Sequence, residues 1–309
     1  VCVRINEATP ITPISLVCLA MLGRGDRALS RNETVIALRN LVNYVEKRGL
    51  ATTEPLALSE PDGVGRGRDS LVESGLLDAH TGGRETVYQI APDQHLAAAY
   101  YRNTVIHYFV PGAIAELALL RAAEPDVVDR RKEFWDETLR LRDLMKFEFF
   151  FPERDIFQAQ LGRELALHDP AWEKRLDEGP DRIQALLPRL KPLQAHRILR
   201  PFLEAYRVVG DVLETHDPAE TLEPEPFMAE CLALGQQYVL QRHLKRTESV
   251  SKVLFETAIK LARNRELWDA SDSSLRDRRA AFAEEIRDVT HRVDLVEAFV
   301  RARQEGLVA

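Results

Sequence analysis

Proton transfer near neutral pH is the province of histidine, and the eight histidines of this chain are scattered through it. His291 has Asp294 one helical turn away, which reads as a solvated surface pair. His168-Asp169-Pro170 and His216-Asp217-Pro218 look alike, and each reads as a helix terminus in which Asp caps and Pro opens the next helix. Asp126, Asp129, Glu133, Asp136 and Glu137 mimic a carboxylate site, but Arg130, Arg131, Lys132 and Arg140 are interleaved with them, the pattern of a charged, solvated helix face. Gly63-Val64-Gly65-Arg66-Gly67 looks like a phosphate cradle; no strand precedes it, so it reads as a flexible loop. The three cysteines, Cys2, Cys18 and Cys231, make an odd set without CxxC spacing, which suits a reducing compartment and neither a disulfide framework nor a zinc site. No local signature of an activated nucleophile or a phosphate loop occurs. The expectation is a chain with no catalytic centre, cofactor site or metal site of its own.

Two aromatic clusters remain. Phe147-Glu148-Phe149-Phe150-Phe151 stands at a predicted helix end, where aromatics usually fill a core. Tyr100 to Phe109 mixes aromatics with Arg102 and His107, as a domain-interface or membrane-surface helix does. Tyr101, Arg102, Asn103 and His107 are the candidate contact residues for a neighbouring domain or a membrane.

The elements that must position these residues are mostly helical. Thr12-Pro13-Ile14 marks an N-cap with Pro at the first helical position, opening an apolar run to Leu22 that Gly23, Gly25 and Asp26 break. Ser30 and Glu33 form a capping box for a helix to Arg48, stopped by Gly49. A loop from Thr52 to Gly65 precedes a short helix over Arg68–Ser74. Leu76–Ala79 and Thr86–Ile90 read as strands joined by a turn at Gly82-Gly83. One helix is predicted over about Gln94–Ala123, kinked near Pro111-Gly112. Glu124-Pro125-Asp126 marks the domain boundary. Beyond it, helices are predicted over about Val128–Phe149, Pro152–Leu167, Arg182–Thr215, Glu225–Arg246, Ser249–Asn264 and Ser273–Arg303, the third continuing through Pro201 as one kinked helix. The expected fold is therefore mainly α: a winged-helix-like region over 1–123 with one small β-hairpin at about 76–90, then an α-helical bundle over 124–309.

With 309 residues, 45% of them hydrophobic and 29% charged, the chain can bury substantial cores. A winged helix often binds DNA, but the net charge of −7 and the acids Asp62, Asp69, Glu73, Asp78 and Glu85 around Arg66, Arg68 and Arg84 oppose a polyanion, so no nucleic-acid partner is expected. No run is long and apolar enough to span a bilayer, which leaves a peripheral contact.

Asn6-Glu7-Ala8-Thr9-Pro10-Ile11-Thr12-Pro13-Ile14-Ser15-Leu16-Val17 and Tyr100-Tyr101-Arg102-Asn103-Thr104-Val105-Ile106-His107 resemble the PlsB-type glycerol-3-phosphate acyltransferases, downstream of their acyltransferase domain. The likeness covers most of residues 1–123, and the later helices fit the family's C-terminal region more loosely. It implies the first step of phospholipid synthesis, transfer of an acyl group from acyl-CoA or acyl carrier protein to the 1-hydroxyl of glycerol-3-phosphate. It also implies an HxxxxD motif whose His is the general base. No histidine here has Asp five positions on, His80 reaching Glu85 instead, and Phe151-Pro152-Glu153 continues to Arg154 rather than completing an FPEG-type motif. The resemblance thus places the chemistry in an acyltransferase domain upstream of Val1, and makes this chain a structural portion that packs on that domain at the cytoplasmic face of the cell membrane. A DNA-binding winged-helix regulator and a plain helical scaffold are the alternatives.

Overall fold

A computed structural model describes residues 5–6, 8–25, 27–57, 63–269 and 274–304. Residues 1–4 with Cys2, Glu7, Asp26, residues 58–62 with Asp62, and Ser273, all used in the reading above, lie outside the described residues.

Helix α1 (Pro13–Leu22) begins where Thr12 accepts the Ser15 N–H at 3.1 Å, with Pro13 in its first turn, and it is buried almost throughout. Helix α2 (Arg31–Lys47) has the expected capping box, Ser30 Oγ accepting from Glu33 N at 3.2 Å and Glu33 Oε2 from Ser30 N at 2.9 Å. Helix α3 (Val64–Glu73) corrects the loop expected over Gly63–Gly67. Gly63 starts it at φ 59°, and a Cβ on Gly67 would lie 3.0 Å from the Pro13 Cβ, so the glycine lets α3 close on α1. The hairpin is present as β2 (Leu77–His80) and β3 (Val87–Ile90), with Leu77 opposite Ile90 and His80 opposite Val87. A third strand that the sequence did not announce, β1 (Leu29–Ser30), pairs with the other edge of β3, giving an antiparallel sheet ordered β1-β3-β2. Two residues leading into a capping box are too short to show alternation.

The helix expected over 94–123 is two helices, α4 (His95–Asn103) and α5 (Val110–Ala122), with a 3₁₀ turn at Ile106–Tyr108 between them. Pro111 opens α5 instead of kinking a longer helix, because the first turn needs no N–H from it. After α6 (Arg130–Leu144), α7 (Arg154–His168) and α8 (Trp172–Asp177), the helix expected over 182–215 also divides. It becomes α9 (Pro180–Gln184), a 3₁₀ turn at Leu187–Arg189, α10 (Ala195–Ile198) and α11 (Arg200–Thr215), with Pro201 in the first turn of α11. Helices α12 (Pro224–Leu240), α13 (Lys252–Asn264) and α14 (Ser274–Gln304) complete the chain.

The fold is mainly helical with one small sheet. Its contacts gather into two compact units, Val1–Trp135 with Phe151–Ile198, and Asp136–Phe150 with Leu199–Ala309. These are not the stretches 1–123 and 124–309, because α7, α9 and α10 pack on α5 within the first unit. In the second unit α11 is the central helix, against α12, α13 and α14. Among the described residues, no helix is long and apolar enough to cross a membrane.

Candidate functional site

Tyr101, Arg102, Asn103 and His107 come from the end of α4 and the turn after it, and they do not form one surface. Tyr101 is 38% exposed, Asn103 is exposed, and Arg102 is turned inward at 2% exposure, its Nε and Nη2 donating to Asn103 Oδ1 at 3.2 and 3.0 Å. His107 is half-buried, with Nε2 2.8 Å from the Asn6 carbonyl oxygen. A carbonyl only accepts, so Nε2 carries the proton; burial outweighs that bond and holds the His107 pKa below its usual value. What α4 shows to solvent is apolar and aromatic: Leu96 at 67% and Tyr100 at 70%, with Tyr100 edge-on to Tyr101.

Next to this turn lies a polar cluster that joins stretches of chain sixty or more positions apart. The Tyr108 hydroxyl donates to the carbonyls of Asn6 and Thr9 at 3.0 and 2.8 Å. The Tyr108 carbonyl in turn accepts from Arg48 Nη1 at 2.7 Å and from the Tyr44 hydroxyl at 3.3 Å. Arg48 also pairs with Glu164 at 3.3 Å, and His168 Nε2 lies 3.8 Å from the same carboxylate, its ring parallel to that of Tyr44. Burial, then Glu164, pushes the Tyr44 phenol well above its ordinary pKa. Opposite Glu164, Glu116 accepts the N–H groups of Gln194 and Ala195 at 2.6 and 2.8 Å. Glu116 is 1% exposed, and burial raises its pKa to about 8 in spite of these two bonds.

A histidine, two carboxylates and an arginine thus converge at one enclosed point, the combination that acid–base chemistry on a hydroxyl requires. The space decides what they can do. Tyr44, Gly112, Glu116, Glu164, His168 and Gln194 line a cavity of about 10 Å³, room for roughly one water and far less than the 300–1,000 Å³ of a ligand pocket. A Cβ on Gly112 would already sit 3.4 Å from Glu164 Oε1. The cluster therefore locks α2, α5, α7 and α10 together. A lone Glu116 inside the apolar run Ala113–Leu120 was the one available signal for it.

The other candidates also resolve as structure. Asp169 ends α7 and accepts from Ala171 N at 2.9 Å, and Asp217 accepts from Ala219 N at 2.9 Å, but both bonds close turns: the next helices begin at Trp172 and Pro224, so neither Pro170 nor Pro218 opens a helix as expected. Asp294 does not serve His291; it accepts from Arg200 at 2.7 Å and Lys245 at 2.8 Å. Glu137, expected on a solvated face, is 3% exposed and holds the buried Arg292 at 2.8 Å. Phe149 and Phe151 are half-buried against Phe202 and Phe157, whereas Phe150 is 63% exposed, so that cluster is only partly core. Helix α3 has no basic face for a duplex, since Arg68 is 3% exposed with its guanidinium over the Tyr88 ring and Arg66 pairs with Glu54.

Residues 1–271 match the family model described as the C-terminal region of glycerol-3-phosphate acyltransferase. A protein of Mycobacterium bovis and proteins of two strains of Mycobacterium tuberculosis, each named "Putative acyltransferase plsB1", are 41% identical to this chain over 301 residues. The alignment covers 96% of this chain and 48% of theirs, so the chain spans about half the length of the curated relatives it matches.

Proposed function

The chain belongs to the glycerol-3-phosphate acyltransferase C-terminal region family, and we propose that it is the structural portion of an enzyme that acylates the 1-hydroxyl of glycerol-3-phosphate. In this reading the acyl donor is acyl-CoA or acyl carrier protein, and the chemistry belongs to an acyltransferase domain in the other half of a relative-length protein. The observation that carries the reading is the family match over residues 1–271, joined to relatives about twice as long. The water-sized cavity at Glu116, Glu164 and His168 supports it, because glycerol-3-phosphate cannot enter there.

The exposed side of α4, with Leu96, Tyr100, Tyr101 and Asn103, is the surface that meets the acyltransferase domain, while Arg102 and His107 shape it from behind. The assembled protein sits peripherally on the cytoplasmic face of the cell membrane, where its product belongs. Two proteins test this: the 309-residue chain, and the same chain fused behind the acyltransferase domain of a relative. With acyl-CoA and labelled glycerol-3-phosphate, only the fusion is expected to form 1-acylglycerol-3-phosphate, and Y100D/Y101D in the fusion is expected to lower that rate. Turnover by the chain alone would overturn the proposal.

A further inference from the structure

Two of the most exposed apolar side chains, Leu240 at 85% and Val253 at 68%, lie at the two ends of the connection between α12 and α13 in the second unit. A Cβ on Gly235, in α12, would lie 3.1 Å from Val250 Cγ1 and 3.3 Å from Phe255 Cζ, so the start of α13 is seated beside the last turns of α12. Leu240 and Val253 therefore belong to one tip of the unit. Arg242 and Lys252 there are exposed and make no ion pair among the described residues. Exposed His243 adds a titratable group, its ring edge-on to Tyr238. Of the nearby acids, Glu248 is buried, and exposed Glu256, one turn from Lys252 on the same helix, makes no ion pair with it among the described residues. Lys245, by contrast, is bound to Asp294 and Glu297 at 2.8 and 2.7 Å.

The tip is also stiff. Buried Glu204 of α11 accepts the backbone N–H groups of Lys245 and Arg246 at 2.9 and 3.2 Å and the Ser249 hydroxyl at 2.7 Å, fixing the connection from below. At the start of α13 the first turn has no acid and Ser251 makes no side-chain cap, so no side-chain carboxylate of that turn opposes the positive end of the helix dipole.

Resting on the peripheral-membrane reading above, we propose that this tip is the membrane-docking surface of the chain. Leu240 and Val253 enter the headgroup boundary, and Arg242 and Lys252 hold lipid phosphates. Charge complementarity selects the occupant: the chain carries −7 overall, so attraction to an anionic bilayer must be local, and here two unpaired cations flank exposed apolar side chains.

The test is co-sedimentation of the 309-residue chain with vesicles of phosphatidylcholine alone and of phosphatidylcholine mixed equally with phosphatidylglycerol. The parent chain should bind the anionic vesicles and scarcely the neutral ones. R242G/K252S should lower the anionic partition coefficient roughly 30-fold, each cation near such a surface being worth about fivefold. Arg242 has φ 60°, which glycine adopts without strain, so thermal unfolding should show this variant no less stable than the parent. L240S/V253S should also weaken binding. If both variants bind anionic vesicles like the parent, the tip is not the docking surface although the peripheral reading stands. If the parent fails to bind them, both fall. If the variants keep vesicle binding but lose binding to acyl carrier protein, the tip serves an acidic protein and the lipid assignment is wrong.

Discussion

Each unit uses a buried glutamate in the same way, and the difference between the two lies in the company each keeps. In the first unit Glu116 of α5 grips the N–H groups of Gln194 and Ala195; in the second Glu204 of α11 grips those of Lys245 and Arg246. Glu204 also has Arg200 at 3.5 Å, itself 1% exposed and tied to Asp294 and Glu297. Among the described residues Glu116 has no cation within ion-pair distance, Arg197 acting on it only from further off. Burial raises both carboxyls, but Glu204 is opposed by Ser249, Arg200 and Arg246 as well as by its backbone bonds, and for Glu116 the rise reaches about 8. A carboxyl can thus anchor an incoming backbone either as part of an ionic network or as a largely neutral group, and the two choices respond differently to mutation and to pH.

The sharpest way to break this contrast is Arg200→Met, which leaves Glu204, Asp294 and Glu297 without their shared buried cation. Urea unfolding should show a loss of about 3–5 kcal/mol, and a loss below about 1 kcal/mol would mean the network is not needed. Glu204→Gln should destabilise by about 2–3 kcal/mol, because Arg200 stays buried with less to balance it. Glu116→Gln should lose only about 1 kcal/mol, one N–H left facing an amide that cannot accept; equal losses in the two variants would erase the distinction.

The pH arm follows from Glu116. Folded, it keeps its proton up to a pH of about 8, whereas unfolded it releases it near 4.5, so between these values the folded state binds the extra proton and stability falls as pH rises. The slope from this group is at most about 1.4 kcal/mol per pH unit. Thermal melts of E116Q across the same window should be flatter than those of the parent, and parallel curves would show that Glu116 is already ionised. The smallest effect is expected from Tyr44→Phe, roughly 0.5–1.5 kcal/mol, as Arg48 and the Tyr108 carbonyl keep each other. A much larger loss, read by chemical denaturation, would make the hydroxyl the keystone of that cluster.

Punctuation was legible in the sequence and buried charge was not. Ser30 with Glu33, Thr12 with Pro13, and the paired strands around Gly82-Gly83 announce local hydrogen bonds made by neighbours in the chain, so their types and spacing suffice. Pro111 and Pro201 were misread as kinks because apolar periodicity ran through them; both sit where a helix starts, a position proline favours as strongly as it disfavours the interior. Arg200, Arg279 and Arg292 are among the largest fully buried side chains, although arginine usually stays in water and Arg279 and Arg292 stand among charged neighbours that suggest a solvated face. Their partners come from other elements: Arg292 meets Glu137 of α6, and Arg279 donates to the Leu267 and Trp268 carbonyls in the segment after α13. Such pairs are invisible until helices are packed. The same holds for the candidate contact residues, where the mix of aromatic and charged types suggests a contact and the fold turns Arg102 inward.

The interleaving of the two units has a consequence for synthesis on the ribosome. Residues 136–150 belong with 199–309, and residues 151–198 belong with the earlier stretch, so the first unit lacks part of itself until residue 198 has emerged. By then the 136–150 segment has long been outside, waiting for partners not yet made. Glu116 meets its two backbone donors, and Arg48 its ion-pair partner Glu164, only with that late segment, so a nascent chain stopped at residue 123 exposes the apolar surface of α5 to chaperones instead of closing over it.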